Sequence, residues 1–369
     1  MIRRLLQAGR VLRSRFGHAK LSVGLGLLAH RALVAAGWAL DPWVSPGLRR
    51  WRVRPPVFVV GNPRSGTTFL HRWLVAHGVG AGFELWQLLW PAVCLRPFVR
   101  PMLRWLERVS PARFHGGAAH PTSLTSVETD DALLFFRFFD GLFAWGYVLA
   151  WDDAEHPDAL DARPRETAAR DYAFLAEAQR RNAWWHGANR AVGKLFSMAL
   201  RPEETLAAFP DARFLLLLRD PVDVIPSGLS LLDGVVGRAF DVARVPAEVR
   251  ARRVARLYDA SLRMYRGLAE AYRAGRLPPD RVRIVRYDTL MADFETEMRS
   301  ILAFVDHPVD DALAVAIRDT AARQRAWTSP HAYDAARFGL DPARIRADTA
   351  FLEEVFGPLS PPRSTPLPP

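Results

Sequence analysis

Three short runs rich in apolar residues stand out along the chain, and helix-compatible sequence follows them. They are VFVV at 57–60, FLLLL at 214–218 and RVRIVRYDTL at 281–290. Short apolar runs, continuous in the first two cases, are typical of strands buried in a parallel sheet. Helical patterns at 65–77 and 294–305 make strands alternate with helices. The pattern therefore predicts an α/β fold, with a parallel sheet flanked by helices and the runs at 57–60 and 214–218 as neighbouring strands.

The pattern changes on both sides of this core. Residues 84–190 favour helix and are rich in Trp and Phe, which indicates an aromatic-rich helical insertion. Such a region forms plain core, an apolar chamber that receives an acceptor, or a cap that faces a membrane. We therefore predict an N-terminal helical extension at 1–52, a main domain at 53–357 and a disordered, Pro-rich tail at 358–369.

The N-terminal extension combines basic and apolar character. Residues 1–40 contain no Asp or Glu, and five arginines precede the stretch LSVGLGLLAHRALVAAGWAL. His30 and Arg31 at its centre disfavour a membrane-spanning helix, and a clear cleavage site for a signal peptide is missing. The pattern favours a basic amphipathic segment that lies on a membrane surface or packs on the domain.

A second segment repeats this combination. Arg96, Arg100, Arg104 and Arg108 recur every four residues among apolar positions, which on a helix gives one basic stripe. Pro97 and Pro101 forbid an unbroken helix. We expect either attachment to an anionic membrane surface or packing of both elements on the domain.

Charge and composition limit the classes of ligand and binding partner that the protein is expected to have. The formal net charge is +11, which indicates an anionic ligand, a membrane surface or nucleic acid. No zinc-finger or RNA-binding signature is present, so nucleic acid is not expected. Cys94 is the only cysteine, which excludes an internal disulfide and fits a reducing cytosol. We expect a cytoplasmic protein, free or attached to the inner membrane surface.

Candidate chemistry begins directly after the first apolar run, in the loop GNPRSGTT at 61–68. A strand, a turn and a helix start form a ready anion site, because backbone N–H groups and the helix dipole favour negative charge. Gly66 allows close approach, and hydroxyls come from Ser65, Thr67 and Thr68. A nucleotide-triphosphatase loop would carry lysine where Thr67 stands. The loop cation is instead Arg64, and an arginine can hold a dianionic group such as a phosphosulfate by paired donors with no metal required.

The stretch NPRSGTTFLHRWL resembles the 5′-phosphosulfate loop of sulfotransferases that use 3′-phosphoadenosine-5′-phosphosulfate (PAPS), especially those of the bacterial type and the tyrosylprotein sulfotransferases. These families carry an Arg at the end of a later strand and a Ser eight residues on, and Arg219 and Ser227 match that spacing. The resemblance implies that this pair holds the 3′-phosphate of PAPS. Lys194 in AVGKLFS resembles the lysine near the sulfuryl group, although the proline that commonly follows it is replaced by Leu195-Phe196-Ser197.

Two further stretches extend the resemblance, which runs from about 57 to 305. VRIVRYDTL resembles a late strand and helix that place Arg286 and Tyr287 near the nucleotide, with sheet packing as the alternative for Tyr287. HPTSLTSVETDDALL resembles the acidic segment of the bacterial group. It contains His120, Glu128 and Asp131.

Sulfuryl transfer also needs a group that accepts the proton of the attacking hydroxyl. In the tyrosylprotein and some bacterial branches this base is a Glu about twenty residues after the loop arginine, and Glu84 stands twenty after Arg64. Glu84 lies alone in an apolar, Trp-flanked stretch, where burial would raise its pKa towards a useful value. We therefore predict Glu84 as the base and Arg64 and Lys194 as further catalytic groups. The alternatives for the base are His120, His115, Glu128 and Asp131.

The resemblance implies a PAPS-dependent sulfotransferase that acts on a hydroxyl of a small-molecule or lipid-like acceptor. A kinase or nucleotide triphosphatase with a degenerate loop is the second hypothesis, and it would require Mg²⁺. A non-catalytic, membrane-associated protein that kept the fold is the third. The full set of loop and strand-end residues argues against this last class.

Overall fold

The computed structural model describes residues 2–17, 21–110, 122–160, 168–325 and 335–359. Its centre is a four-stranded parallel sheet in the order β2-β1-β3-β4. The strands are β1 (Arg54–Val60), β2 (Arg190–Leu195), β3 (Arg213–Leu218) and β4 (Val282–Arg286). Val57–Val60 of β1 pair with Arg213–Leu216 of β3, which confirms the predicted neighbours. The predicted α/β class with a helix-flanked parallel sheet is confirmed.

Nineteen α-helices surround or extend from this sheet in the described part of the chain. In order they are α1 (Ile2–Phe16), α2 (Leu21–Val44), α3 (Pro46–Arg50), α4 (Thr67–Ala76), α5 (Leu85–Leu89), α6 (Arg96–Val99), α7 (Leu103–Val109), α8 (Asp131–Phe138), α9 (Gly141–Tyr147), α10 (Pro157–Leu160), α11 (Ala168–Trp185), α12 (Pro202–Ala208), α13 (Pro221–Ala239), α14 (Ala247–Arg273), α15 (Tyr287–Ala292), α16 (Phe294–Phe304), α17 (Asp311–Arg325), α18 (Pro342–Thr349) and α19 (Phe351–Phe356). The insertion at 84–190 is thus largely helical where it is described.

The centre of the sheet is buried on both faces, whereas β4 at its edge is half-buried at three of its five positions. Val57 and Val59 pack with α4 and α16 on one face, while Phe58 and Val60 belong to the larger core on the other. This alternation along β1 follows from the two-residue period of a strand. Because the strands are parallel, their carboxyl ends all meet at one edge, where the loop at 61–68 follows β1.

The N-terminal extension packs on the domain over part of its length. Val11 of α1 lies in a cluster with Trp151 and Val236. Asp41, near the end of α2, is fully buried and accepts hydrogen bonds from Val93 N at 3.0 Å and Cys94 N at 2.8 Å. The first half of α2, residues 21–29, is by contrast almost entirely exposed. By length and composition α2 is the one helix in the described ranges that could cross a membrane.

The structure corrects two expectations about the surface. The segment 96–109 breaks near its prolines as predicted, but Arg96 is fully buried and donates to Asn182 Oδ1 at 2.9 Å. The basic stripe is therefore reduced to Arg100, Arg104 and Arg108, which are exposed. At the other end of the chain, the Pro358 carbonyl accepts a hydrogen bond from Arg286 and Leu359 is buried. The expected disordered tail thus begins with two packed residues, and 360–369 lie outside the described residues.

Candidate active site

The loop at 61–68 is held in a fixed shape between β1 and α4. Gly66 precedes the helix with φ of 94°, and a Cβ there would lie 2.5 Å from the ring of Tyr287. Only glycine fits both the backbone angle and this approach. Ser65 is buried, and its hydroxyl donates to Asn62 O at 2.7 Å. Ser65 therefore shapes the turn rather than lining the cavity beside it.

Arg64 joins the loop to the element that follows β3. Its backbone has φ of 77°, which is uncommon for a residue other than glycine. The Arg64 Nε donates to Ser227 Oγ of α13 at 2.8 Å. The two residues that sequence spacing assigned to opposite ends of one nucleotide are thus in direct contact.

Arg219 completes this junction at the carboxyl end of β3. Its Nη1 donates to the Arg64 carbonyl at 3.4 Å, and its guanidinium lies 4.4 Å from the ring centre of Tyr287. Asp223 balances its charge, with Nη2 and Oδ2 3.4 Å apart. The structure therefore brings Arg219, Ser227 and Tyr287 to the loop, as the sequence predicted. Arg286, by contrast, turns away and donates to carbonyls of the C-terminal segment.

Lys194 approaches the loop from β2. It is almost fully buried, and its Nζ donates to Thr68 Oγ1 at 3.0 Å. Burial lowers the pKa of Lys194 to about 8, although the carboxylate of Glu128 opposes that shift. The amine is consequently a cation near neutrality that sits close to its titration point.

Several donors at this junction have no protein partner in the described part of the chain. Thr67 Oγ1 and Arg219 Nε are buried without a hydrogen bond. Buried donors are nearly always satisfied, so an unsatisfied pair beside an open cavity indicates a ligand with acceptor oxygens. Together with the glycine cradle, these atoms fit the anionic groups of a phosphosulfate nucleotide.

One cavity of about 1070 Å³ contains these groups and extends far beyond them. Arg64, Thr67, Lys194 and Arg219 line its polar part. Aromatic and aliphatic side chains of the helical insertion line most of the remainder, among them Trp86, Trp90, Phe135, Phe136, Phe139 and Phe143. Ligand pockets commonly span about 300–1,000 Å³, so this cavity is large enough for a nucleotide and a second molecule.

The two candidate glutamates lie on adjoining segments with opposite orientations. Glu84 pairs with Val127 in an isolated antiparallel bridge, while Glu128 N donates to Phe83 O at 2.9 Å. Glu84 Oε2 accepts from the Trp86 indole at 2.5 Å, and Glu84 caps α5. It is not among the cavity-lining residues of the described chain, whereas Glu128 is. Glu128 accepts from Arg72 Nη2 at 2.8 Å and is largely buried.

The other candidate bases differ in position. Asp131 accepts from Phe196 N at 2.6 Å and Ser197 N at 3.2 Å, so its carboxylate holds the turn after Lys194. Burial raises the pKa of Asp131, and these donors oppose that shift. Asp131 does not belong to the described cavity wall. His115 and His120 lie outside the described residues.

Sequence reasoning missed two cavity residues, Arg72 and Arg31. Arg72 stands one helical turn after Thr68 on α4, and that spacing is a signal that could have found it. Arg31 belongs to the N-terminal stretch, for which the sequence left open a membrane surface or packing on the domain. The helix α2 instead contributes Val23, Leu27, His30 and Arg31 to the cavity wall.

Comparison with known proteins agrees with this geometry. The structure matches a crystal structure of sulfotransferase STF1 from Mycobacterium tuberculosis H37Rv with a TM-score of 0.70 and 20% sequence identity, covering 94% of this chain and 90% of that one. It also matches sulfotransferase STF9 from Mycobacterium avium with a TM-score of 0.64 and 18% identity, covering 85% and 79%. These likenesses show the fold. A search of curated protein sequences gives no match.

A sequence model described as the Sulfotransferase family matches residues 55–311. This range begins in β1 and runs past α16, so it contains the loop, Lys194, Arg219 and most of the cavity wall, whereas the cavity residues of α1 and α2 precede it. It covers more than half of the chain. This protein therefore belongs to the sulfotransferase family.

Proposed function

We propose that the protein transfers the sulfuryl group of PAPS to a hydroxyl of a small-molecule or lipid-like acceptor. The observation that carries the proposal is the contact of Arg64 with Ser227 beside Arg219, where Arg64 and Arg219 line the cavity. This contact joins the loop at 61–68, which suits a phosphosulfate, to Arg219 and Ser227, which suit a second phosphate. A nucleotide that carries anionic groups on both the 3′ and the 5′ positions of its ribose matches these two neighbouring anion sites.

Different residues would bind the two anionic groups of PAPS. The loop amides, Thr67 and Thr68 would hold the 5′-phosphosulfate, with Arg64 at its side. Arg219 and Ser227 would hold the 3′-phosphate, and Tyr287 would pack beside it. PAPS supplies an activated sulfuryl group whose departure leaves a negative charge on a bridging oxygen. Lys194, within reach of Thr68, is placed to stabilise that charge.

A carboxylate must also accept the proton of the attacking hydroxyl. Glu84, the sequence candidate, is engaged with Trp86 and with the start of α5. Glu128 lines the cavity, and its charge acts on the Lys194 amine. We therefore propose Glu128 as the base, with Glu84 as the rival, since a base must come within hydrogen-bond reach of its proton.

The membrane-surface hypothesis is part of the proposal. The exposed half of α2 presents Leu21, Leu25 and Leu28 to solvent, and no acidic residue occurs before Asp41. Phe98, Met102 and Trp105 add exposed apolar area between the exposed arginines of the 96–109 segment. Apolar side chains flanked by arginines suit the boundary of an anionic bilayer. We place the protein on the cytoplasmic side of such a membrane.

The test is transfer of radiolabelled sulfate from PAPS into a host lipid and metabolite extract, in parallel with calorimetry of 3′-phosphoadenosine 5′-phosphate (PAP). The proposal expects labelled product and PAP binding in the presence of EDTA. Binding of ATP that depends on Mg²⁺, with no PAP binding, would favour the nucleotide kinase or triphosphatase. PAP binding without labelled product in any extract would favour the non-catalytic alternative.

A further inference from the structure

The end of the cavity formed by α2 holds a charged group that the sulfuryl-transfer chemistry does not use. Arg31 lines the cavity and is only 8% exposed. Within the described chain its Nε and Nη2 make no hydrogen bond. A buried guanidinium without partners is costly, because burial removes water that the protein does not replace. An unpaired cation in a ligand cavity thus indicates an anionic ligand group.

From this geometry we infer that the acceptor is an amphiphilic anion: a hydroxylated, apolar molecule whose anionic group pairs with Arg31. The inference rests on the proposed function, which puts the acceptor hydroxyl beside Lys194 and the loop, on the polar wall of the same cavity. It specifies the acceptor class further, since neutral alcohols would leave Arg31 unpaired.

The electrostatic surroundings of Arg31 agree with an anion site. Burial, and to a smaller extent the charge of Arg137, lower the pKa of Arg31 to about 10. The pKa of Arg137 is itself lowered by burial and by Arg170. Among the described residues, the charge that acts on Arg31 is thus a repulsive one. Arg31 remains protonated at neutral pH, and an incoming anion would relieve the repulsion.

The wall near Arg31 suits a hydrocarbon or ring system. His30, next to Arg31 on α2, packs edge-on against Trp90 with ring centres 4.3 Å apart. Leu89 and Leu106 also line the cavity, as do Phe135 and Phe136 of α8. Such surfaces stabilise apolar chains by removing them from water.

An entrance exists at the same place. Val23 and Leu27 line the cavity, yet they are 60% and 41% exposed. Because one side of each residue faces the cavity and another faces solvent, α2 forms part of the rim. An amphiphile can therefore enter beside α2, with its anionic group stopping at Arg31.

The test measures binding of defined probes to the full-length protein saturated with PAP. Three ω-hydroxy acids of 8, 12 and 16 carbons are compared with 1-alkanols of the same lengths, and hexadecyl phosphate is the phosphate-bearing probe. We expect the hydroxy acid of best-fitting length to bind at least about tenfold more tightly than its alkanol, as for a hydrogen bond to a charged group. Tighter binding of hexadecyl phosphate than of the acids would point to a phosphate-bearing acceptor.

Three variants make the result specific. Arg31→Gln should abolish the preference for the acids, Arg31→Lys should keep most of it, and Arg13→Gln, at an exposed arginine of α1, should leave it unchanged. Equal binding of acids and alkanols by the wild type would overturn the inference. So would an unchanged preference in Arg31→Gln, or a failure of every probe to bind.

A failure of the acceptor class can be distinguished from a failure of the proposed function. PAP calorimetry on the wild type reports the proposed function alone, because Arg31 lies outside the nucleotide-binding residues. Normal PAP binding with no preference for the acids overturns only the acceptor class. Lost PAP binding in the wild type would overturn the proposed function itself. Arg31→Gln must also retain PAP binding, which shows that the variant is folded.

Discussion

At the scale of single residues, Arg219 offers the most direct test of nucleotide binding. Removing its guanidinium in Arg219→Ala should weaken PAP binding by about 1.5–3 kcal/mol, the range for hydrogen bonds to charged groups. Calorimetry of PAP measures this loss. The matched control is Arg213→Ala at the opposite end of β3, where the guanidinium donates to the Asp280 carbonyl away from the cavity. Equal effects of the two substitutions would remove the 3′-phosphate role.

Lys194 makes the reaction sensitive to pH. Burial lowers its pKa to about 8, so the free enzyme loses this cation as the pH rises through that value. If the cation stabilises the leaving group, kcat/KM should fall about tenfold per pH unit above pH 8. Lys194→Arg should move this falling limb to higher pH, because arginine stays protonated. A pH profile of kcat/KM that is flat from pH 7 to 10 would contradict the role.

The identity of the base is tested by replacing each of the two candidate glutamates with glutamine. Glu128→Gln keeps the shape of the side chain but removes its proton-accepting charge, so turnover should fall about 10²–10⁴-fold. PAP affinity should change little in the same variant. Glu84→Gln should retain substantial turnover, because Glu84 lies outside the described cavity wall. The opposite ranking of the two variants would return the role to Glu84.

At the scale of elements, the apolar runs predicted three of the four strands but not β2. Val57–Val60 of β1 and Phe214–Leu218 of β3 are continuously apolar, and their burial follows from sequence, whereas β4 carries two arginines and is half-buried at three of its five positions. The sequence of β2, RAVGKL, contains Arg190, Gly193 and Lys194, yet all six residues are buried. Its buried surroundings are partly polar, because Asp130 and Gln179 reach over Gly193. That polar cover comes from distant segments, so local hydrophobicity could not reveal the strand.

This cover gives β2 a testable steric limit. A Cβ on Gly193 would lie 2.5 Å from Asp130 Oδ2, 2.8 Å from Gln179 Nε2 and 2.9 Å from the Phe58 ring. Gly193→Ala should therefore lower the free energy of unfolding by about 1–3 kcal/mol, as overpacking does. Denaturant unfolding measures the change. Gly237→Ala in α13 is the control, because no atom lies within 4 Å of its Cβ and alanine favours helix. Equal stability of both variants would show that the side chains over β2 rearrange to admit a methyl group at little energetic cost.

At the scale of the whole molecule, the motifs predicted the nucleotide end of the site better than the acceptor end. Arg64, Arg219 and Ser227 meet because parallel strands end at one edge, which sequence order already implies. The acceptor end is assembled from α2, α5, α8 and α9, whose relative placement depends on tertiary packing. Arg31 illustrates this difference. Its sequence context left open whether the segment lies on a membrane or packs on the domain, and only its position in the fold makes it part of the cavity.

The last prediction concerns attachment of the molecule to a membrane. Deleting residues 1–40 would be a poor test, because it removes Val11 from a packed cluster. Leu25→Glu/Leu28→Glu is sharper, since these side chains are 57% and 40% exposed and do not line the cavity. The wild type should co-sediment with anionic vesicles at low salt and less at high salt, because salt screens the basic charge.

The double variant should lose most of this binding while its PAP affinity stays unchanged. Val315→Glu serves as the control, because Val315 is exposed on α17, outside the N-terminal extension. Full recovery of the wild type in the supernatant at low salt would contradict membrane attachment. Equal loss in the control would show that added negative charge, rather than the apolar face of α2, governs binding. If only the α2 variant loses vesicle binding, the cavity rim lies at the bilayer. Val23 and Leu27, which form that rim, belong to the same part of α2 as the two substituted leucines.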